Sequence, residues 1–290
     1  MLAHTYPHVN QCPWCHYPFA WEDGILVLGD NKNEDDFPAE VYSILYEAVD
    51  KHFWYKSRDR AIASVLQRAM GSLRGARLLD VGCGTGQVLA ILERSGMGVC
   101  GLDQHLEGLR YARKRTKAPL VCFNATEMPF VEEFDAITLC DVLEHVEDEQ
   151  GLLQGCKKAL RTGGFLLVTV PASMKLWSVF DELDGHKRRY TKRELGSKIE
   201  QAGFRVELLQ YFNSLLFPFQ YLYRKGGDWA ARRRLASLDE KAVFLQSHYP
   251  PPPLLNSFFS GLLWLERNLF SSFTGSFGSS LMALARREPA

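Results

Sequence analysis

Short apolar runs alternate with amphipathic stretches through the middle of the chain. ARLLDV (Ala76–Val81), GVCGLD (Gly98–Asp103), LVCFN (Leu120–Asn124), FDAITLC (Phe134–Cys140) and GFLLVTV (Gly164–Val170) read as buried strands. Between them, apolar residues recur at helical spacing over Val88–Arg94, Leu106–Lys114 and Gly151–Leu160. A further helix over Lys192–Ala202 stops at Gly203, and Phe204–Phe212 follows as another strand. This alternation predicts an α/β sheet, mainly parallel, with right-handed crossovers and helices on both faces. SSLMALARR (Ser279–Arg287) supplies one last strand.

Three regions fall outside that rhythm. Residues 1–30 carry Cys12-Pro-Trp-Cys15-His16, and residues 31–75 are helical and aromatic around HFWYKSRDR. Residues 213–275, rich in Phe, Leu, Tyr and Trp, interrupt the core at 76–212 before its closing segment at 276–290, and read as an apolar helical lid. The apolar stretch Leu254–Leu265 is cut off by Glu266 and Arg267, short of the ~18 residues a membrane span needs. It reads as a buried or membrane-surface helix. Lys+Arg and Asp+Glu are equal at 34 each, so no global field draws the chain to nucleic acid. The seven cysteines form no disulfide framework; five of them lie in apolar or glycine-rich segments, and no secretory signal opens the chain. The expected setting is reducing and cytoplasmic, with peripheral membrane contact or a homodimer as uses for the aromatic lid.

The strongest chemical signal is Leu78-Leu-Asp80-Val-Gly82-Cys-Gly84-Thr-Gly86-Gln87. A dinucleotide fingerprint would need glycine at 87, and no Gly-Lys-Ser/Thr follows for a P-loop. Asp80 puts a carboxylate among the glycines, where it repels phosphate but pairs with an ammonium. Asp103 ends the next strand, where nucleotide-binding sheets receive ribose hydroxyls. Asn124 ends the third strand, within reach of an adenine edge. Together these describe S-adenosylmethionine.

LLDVGCGTGQ, GLD, NATEMPF and FDAITLCDVLEHVED resemble, in order and spacing, the motifs of the class I S-adenosylmethionine-dependent methyltransferases. The resemblance covers roughly residues 50–212 and implies a Rossmann-like seven-stranded sheet whose last strand is antiparallel. It also implies that Asp80, Gly82, Cys83, Gly84 and Gly86 line the methionine end. Asp103 would then bind the ribose and Asn124 with Ala125 meet the adenine, with Gln104 and Cys140 among the other cofactor-binding residues. Asn124 departs from the family's frequent Asp, and an amide still serves.

The remaining chemistry sits in CDVLEHVED, Cys140–Asp148. Asp141, Glu144 and His145 stand at i, i+3 and i+4, so one helical turn would gather them on a single face. Three readings are open: a metal site, a proton-transfer site, or the polar start of a helix with Asp148 and Glu149 as ordinary first-turn acids. His186 lies in DELDGHKRRYTKREL, before a helix with a Thr191–Glu194 capping box. The paired segments resemble two metal-assisted branches of the family, ubiquinone-pathway O-methyltransferases and small-RNA 2′-O-methyltransferases. That likeness implies that Asp141, Glu144, His145 and His186 hold Mg²⁺ or another divalent ion. Without a metal, His145 or His186, with Glu144, would serve as the catalytic proton acceptor.

Arg188, Arg189 and Tyr190 offer a cradle for an anionic substrate group or a solvated basic loop; Trp54 or Tyr55 could shield a sulfonium. Cys12 and Cys15 have zinc-knuckle spacing but are two ligands short. A local site with His4, His8 or His16 holding Zn²⁺ and a metal-free vestige fit equally. The expected function is methyl transfer from S-adenosylmethionine to a small, apolar or lipid-linked acceptor, at a hydroxyl oxygen. The alternatives are a metal-assisted RNA 2′-O-methyltransferase and a non-catalytic cofactor-binding protein.

Overall fold

The structure, a computed structural model, describes residues 11–12, 16–29, 39–231, 251–269 and 277–289. Its strands are β1 (Phe19–Glu22), β2 (Ile25–Leu28), β3 (Arg77–Val81), β4 (Gly98–Asp103), β5 (Leu120–Cys122), β6 (Phe134–Cys140), β7 (Leu160–Pro171), β8 (Phe204–Phe212) and β9 (Ser280–Arg287). They form one sheet in the order β1-β2-β5-β4-β3-β6-β7-β9-β8. Strands β2 to β7 are parallel where they pair, and β9 enters antiparallel between β7 and β8. Parallel strands covered on both faces bury consecutive apolar residues, as Leu78-Leu79 of β3, Ala136-Ile137 of β6 and Phe165–Val168 of β7 show.

Alternate residues of each strand feed opposite cores. Leu79, Val81, Ile137, Leu139, Leu166 and Val168 pack toward α5 (Glu149–Ala159) and α7 (Lys192–Gln201). Leu78, Ala136, Phe165 and Leu167 pack on the face covered by α2 (Phe53–Met70), α3 (Gln87–Arg94) and α4 (Leu106–Arg113). Helix α1 (Ala39–Val49) leans on α4.

The sheet has nine strands among the described residues, not the expected seven. The additional pair is the hairpin β1–β2, whose Asp23-Gly24 turn takes φ of 51° and 75° at both central positions. Ile25 and Val27 are buried, and Leu26 and Val27 pair in parallel with Val121 and Cys122 of β5. Arg110 of α4 donates to Asp23 at 2.9 Å, and Arg113 to the Gly24 carbonyl at 3.0 Å, which clamps the turn.

Among the described residues two helices lie between β8 and β9, α8 (Phe217–Ala231) and α9 (Pro253–Leu269), and a short α6 (Val179–Leu183) packs against α8. Glu266 is buried on α9 and accepts from the Ser214 and Leu215 amides at 2.9 Å each, which ties α9 to the end of β8. Asn256 is bonded to the Phe53 amide and the Lys51 carbonyl, and the Phe53 and Phe259 rings lie 5.1 Å apart. Leu222, Leu254, Phe258 and Trp264 stay exposed. No helix among the described residues is long and apolar enough to cross a membrane.

Strand β3 lies between β4 and β6, so the crossovers leave it in opposite directions. This is the topological switch point of the sheet, and open α/β sheets bind ligands outside the carboxyl ends of the strands there.

Candidate active site

The glycine loop leaves β3 and turns across the end of β4. The Gly82 and Cys83 amides donate to the Leu102 carbonyl at 2.7 and 3.1 Å. Gly82 has φ 70°, and a Cβ there would stand 2.4 Å from Val142 Cγ2, so the loop touches the turn after β6. Gly84 has φ 50° and nothing within 4 Å of where its Cβ would be. Its amide donates to Asp103 Oδ2 at 2.8 Å, which leaves an uncovered backbone surface beside a carboxylate. Gly86 caps the start of α3, and Cys83 packs against Gly101.

Asp80 is 2% exposed, and its Oδ1 accepts from Thr138 on the neighbouring β6 at 2.7 Å. Burial raises its carboxyl to about 7, against the pull of the Thr138 hydroxyl and the Arg58 charge. Asp103 is also buried and receives the His105 amide at 2.9 Å. Gln104, between them and solvent, contacts the His105 ring. Asn124 caps the short turn Ala125–Glu127, with Oδ1 taking the Thr126 amide at 3.0 Å and hydroxyl at 2.9 Å. Its Oδ1 is committed to that turn. Cys140 closes β6, its thiol pushed well up by burial.

The segment after β6 is not the helix that its i, i+3, i+4 spacing suggested. Asp141 takes φ 57°, and the chain then makes a tight turn with His145 N–H bonded to the Val142 carbonyl at 3.0 Å. That left-handed residue breaks the helical register expected of Asp141, Glu144 and His145. Its Oδ2 instead receives Arg58 Nη1 at 2.7 Å. Arg58, buried on α2, also holds Asp59 through two bonds of 3.1 and 3.0 Å and lies 5.2 Å from both the Trp54 and Tyr55 ring centres. The rings expected to shield a sulfonium thus enclose the guanidinium.

Glu144, His145 and His186 do come together, each offering one ligand atom within 4.8 Å of the others. Glu144 is 0% exposed, and neither carboxylate oxygen has a hydrogen-bond partner. Burial, with the Asp141 charge nearby, pushes this carboxyl well above its usual range. An orphaned, buried carboxylate facing two imidazoles costs stability unless a proton or a cation satisfies it. His145 is lowered to about 4, first by burial and then by His186, so it is a neutral imidazole at physiological pH. The two rings meet edge to face at 4.8 Å. Two imidazoles and one carboxylate suit a borderline divalent ion such as Zn²⁺ or Fe²⁺ better than Mg²⁺.

Asp181, invisible as a site residue in the sequence, sits under His186. Its Oδ1 takes His186 Nδ1 at 3.0 Å and Arg189 Nε at 2.7 Å, and its Oδ2 takes Arg224 Nη1 of α8 at 2.6 Å. Burial alone would raise this carboxyl, but the His186 bond and the two guanidinium charges hold it well below the ordinary range.

The loop Arg188–Tyr190 is neither an anion cradle nor a solvated patch. Arg188 pairs with Glu149 and Glu147, Arg189 is 6% exposed on Asp181, and Tyr190 donates to Glu149 at 2.6 Å. Glu149 also receives Lys198 at 2.7 Å, so it is a buried hub and not a solvated first-turn acid. Asp148 is the N-cap of α5, accepting from the Gly151 amide at 2.8 Å. Of the knuckle, Cys12 and the exposed His16 are described; Cys15, His4 and His8 lie outside the described residues. A cleft of about 520 Å³ opens past β7 and β8, lined by Ser173, Lys175, Tyr211, Leu215, Phe217 and Phe277. It shares no residue with the glycine loop.

A family profile described as a methyltransferase domain matches residues 79–168, the stretch from the glycine loop through β7. A ubiquinone biosynthesis O-methyltransferase of Vibrio cholerae is 37% identical over 186 residues, 57% of this chain and 74% of that protein. The chain belongs to the class I S-adenosylmethionine-dependent methyltransferases. The enzyme of the same description from Pectobacterium carotovorum is 30% identical over 149 residues, 46% of this chain and 62% of its own length. The chain therefore spans about six-tenths of that relative. The solved [4+2]-cyclase SpnF shares the fold, with a TM-score of 0.53 at 19% identity, covering 82% of this chain and 84% of that one. A cyclase on this scaffold shows that the methyltransferase fold alone does not fix the reaction.

Proposed function

We propose that the chain is an S-adenosylmethionine-dependent O-methyltransferase acting on a small hydroxylated acceptor with an apolar body. The observation that carries this is the juxtaposition of the glycine loop, through the Gly82–Val142 contact, with the turn bearing Glu144 and His145. When bound, S-adenosylmethionine supplies an electrophilic methyl, which passes to the acceptor oxygen while sulfur keeps the electrons of the broken C–S bond. Gly84 leaves backbone uncovered for its approach, Asp103 offers carboxylate oxygens to ribose hydroxyls, and Asp80 offers an anion to the ammonium. Positioning of the two reactants supplies most of the rate.

The hydroxyl proton needs an acceptor. His145, lowered to about 4, is a weak base and a better ligand. His186, with Nδ1 held by Asp181, directs Nε2 at the cluster. Glu144, His145 and His186 would hold a divalent ion, whose contribution is to lower the pKa of a hydroxyl at the site. Asp141 is not in that ligand set; it belongs to Arg58.

The apolar body is read from the aromatic lining of the cleft past β7 and β8 and from the exposed aromatic face of α8 and α9. The relatives named ubiquinone biosynthesis O-methyltransferases point the same way.

Calorimetry with S-adenosylhomocysteine tests the cofactor half. The wild type should bind, and Asp103→Ala should bind about 10- to 100-fold more weakly, as lost charge-assisted hydrogen bonds require. A wild-type chain that binds no S-adenosylhomocysteine overturns the reading.

A further inference from the structure

We propose that Asp181 is the positioning residue for His186, and that Arg224 of the lid helix α8 completes it, so that metal affinity at Glu144–His145–His186 depends on how α8 is seated. This rests on the metal reading above and adds two residues and a lid element to it.

The geometry is that of a carboxylate behind a ligating histidine. Asp181 Oδ1 accepts from His186 Nδ1 at 3.0 Å, and the Asp181 carbonyl accepts from the His186 amide at 2.8 Å. The side-chain bond fixes the tautomer, since a proton on Nδ1 leaves the Nε2 lone pair for the cluster. Nε2 lies 4.0 Å from Glu144 Oε1. Residues behind ligating histidines typically change metal affinity 10- to 100-fold when mutated.

Asp181 is itself held from both sides. Arg189 reaches it from the loop, and donates as well to the Ala172 carbonyl at the end of β7 at 3.0 Å. Arg224 reaches it from α8 and also bonds the Leu176 carbonyl at 3.1 Å and Ser178 Oγ at 2.9 Å. The Tyr223 ring lies 5.6 Å from Phe180, on the same helix as Asp181. Thus α8 meets α6 through the Tyr223–Phe180 ring contact, the Arg224 guanidinium 5.5 Å from the Phe180 ring centre and the Arg224–Asp181 ion pair, which ends on the carboxylate that orients His186. The Phe217 end of α8 also lines the cleft past β8. An occupant that shifts α8 would move Arg224 and be felt at the imidazole.

Asp181→Asn leaves Arg189 buried without its anion and could unfold the chain, so the more exposed Arg224 gives the second variant. Co²⁺ binding is measured by calorimetry and by its visible absorption in wild type, Asp181→Asn, Arg224→Gln and Arg224→Lys, with S-adenosylhomocysteine affinity as the folding control. The expected result is Co²⁺ affinity reduced about 10- to 100-fold in Asp181→Asn and several-fold in Arg224→Gln, with partial recovery in Arg224→Lys and unchanged S-adenosylhomocysteine affinity. Arg224→Gln binding Co²⁺ like a Co²⁺-binding wild type overturns the role of α8, and Asp181→Asn doing so overturns the role of Asp181. A wild type that takes up no Co²⁺, yet binds S-adenosylhomocysteine, overturns the metal reading and this proposal with it.

Discussion

Replacing Asp80 with Asn tests whether the carboxylate in the glycine motif is built for a cationic ligand at a cost to the empty fold. Burial raises Asp80 from 3.8 to about 7 in the folded chain. At about 1.36 kcal/mol per pKa unit, that shift of roughly 3 units is a ceiling of about 4 kcal/mol. The folded form binds its proton more tightly than the unfolded one. The contribution to stability is therefore fully present below about pH 4 and is lost as pH rises toward 7. Asn cannot ionise, so Asp80→Asn should show none of that loss. The window from pH 5 to pH 8 captures about 2 of those units, or about 2.7 kcal/mol, which for 290 residues at about 2.1 cal/mol/K per residue corresponds to roughly 4 °C in Tm. The assay is thermal unfolding of the ligand-free protein at pH 5 and pH 8, wild type against variant. The quantity that matters is the difference of differences, which cancels any pH-independent cost of burying an amide. The variant should gain several degrees over wild type between pH 5 and pH 8 while binding S-adenosylmethionine more weakly. Equal pH dependence in the two proteins would refute the reasoning.

Three further predictions follow from other contacts. Gly82→Ala should destabilise the chain by about 2–5 kcal/mol in urea unfolding, combining left-handed strain with overpacking on Val142; Val142→Ala should restore only the packing part. Arg58→Met should cost about 3–5 kcal/mol, because it strands Asp59 and Asp141, and Arg58→Lys should recover part of that without the fork; a change below 1 kcal/mol would show that the pair is not structural. EDTA and Glu144→Gln should each abolish most methyl transfer while leaving S-adenosylhomocysteine affinity intact; turnover indifferent to both would remove the metal from the account.

The sheet was readable because its strands are buried on both faces: FDAITLC is β6 residue for residue, and GVCGLD is β4. The glycine loop and Asp103 were readable because their spacing is local. The acidic turn misled for a physical reason. Helical spacing assumes right-handed backbone, and one residue at φ 57°, Asp141, breaks that register. Its partner Arg58 is 83 positions away, and Arg224 is 43 positions from Asp181, distances that only the tertiary fold closes. The parallel pairing of the hairpin to β5 was not legible, since β2 offers only four residues. Glu149 has the sequence signature of a solvated first-turn acid; its burial comes from Tyr190, Arg188 and Lys198 folding over it.

The central claim is that the Glu144–His145–His186 cluster acts on an acceptor hydroxyl beside bound S-adenosylmethionine. The most direct measurement is transfer of a labelled methyl from S-adenosylmethionine to a panel of phenols and catechols bearing apolar side chains. The account predicts oxygen-methylated product with the wild type and at least a hundredfold less with His186→Ala, at equal S-adenosylhomocysteine affinity. Saturable cofactor binding with no transfer to any member, or transfer that His186→Ala leaves unchanged, would contradict it.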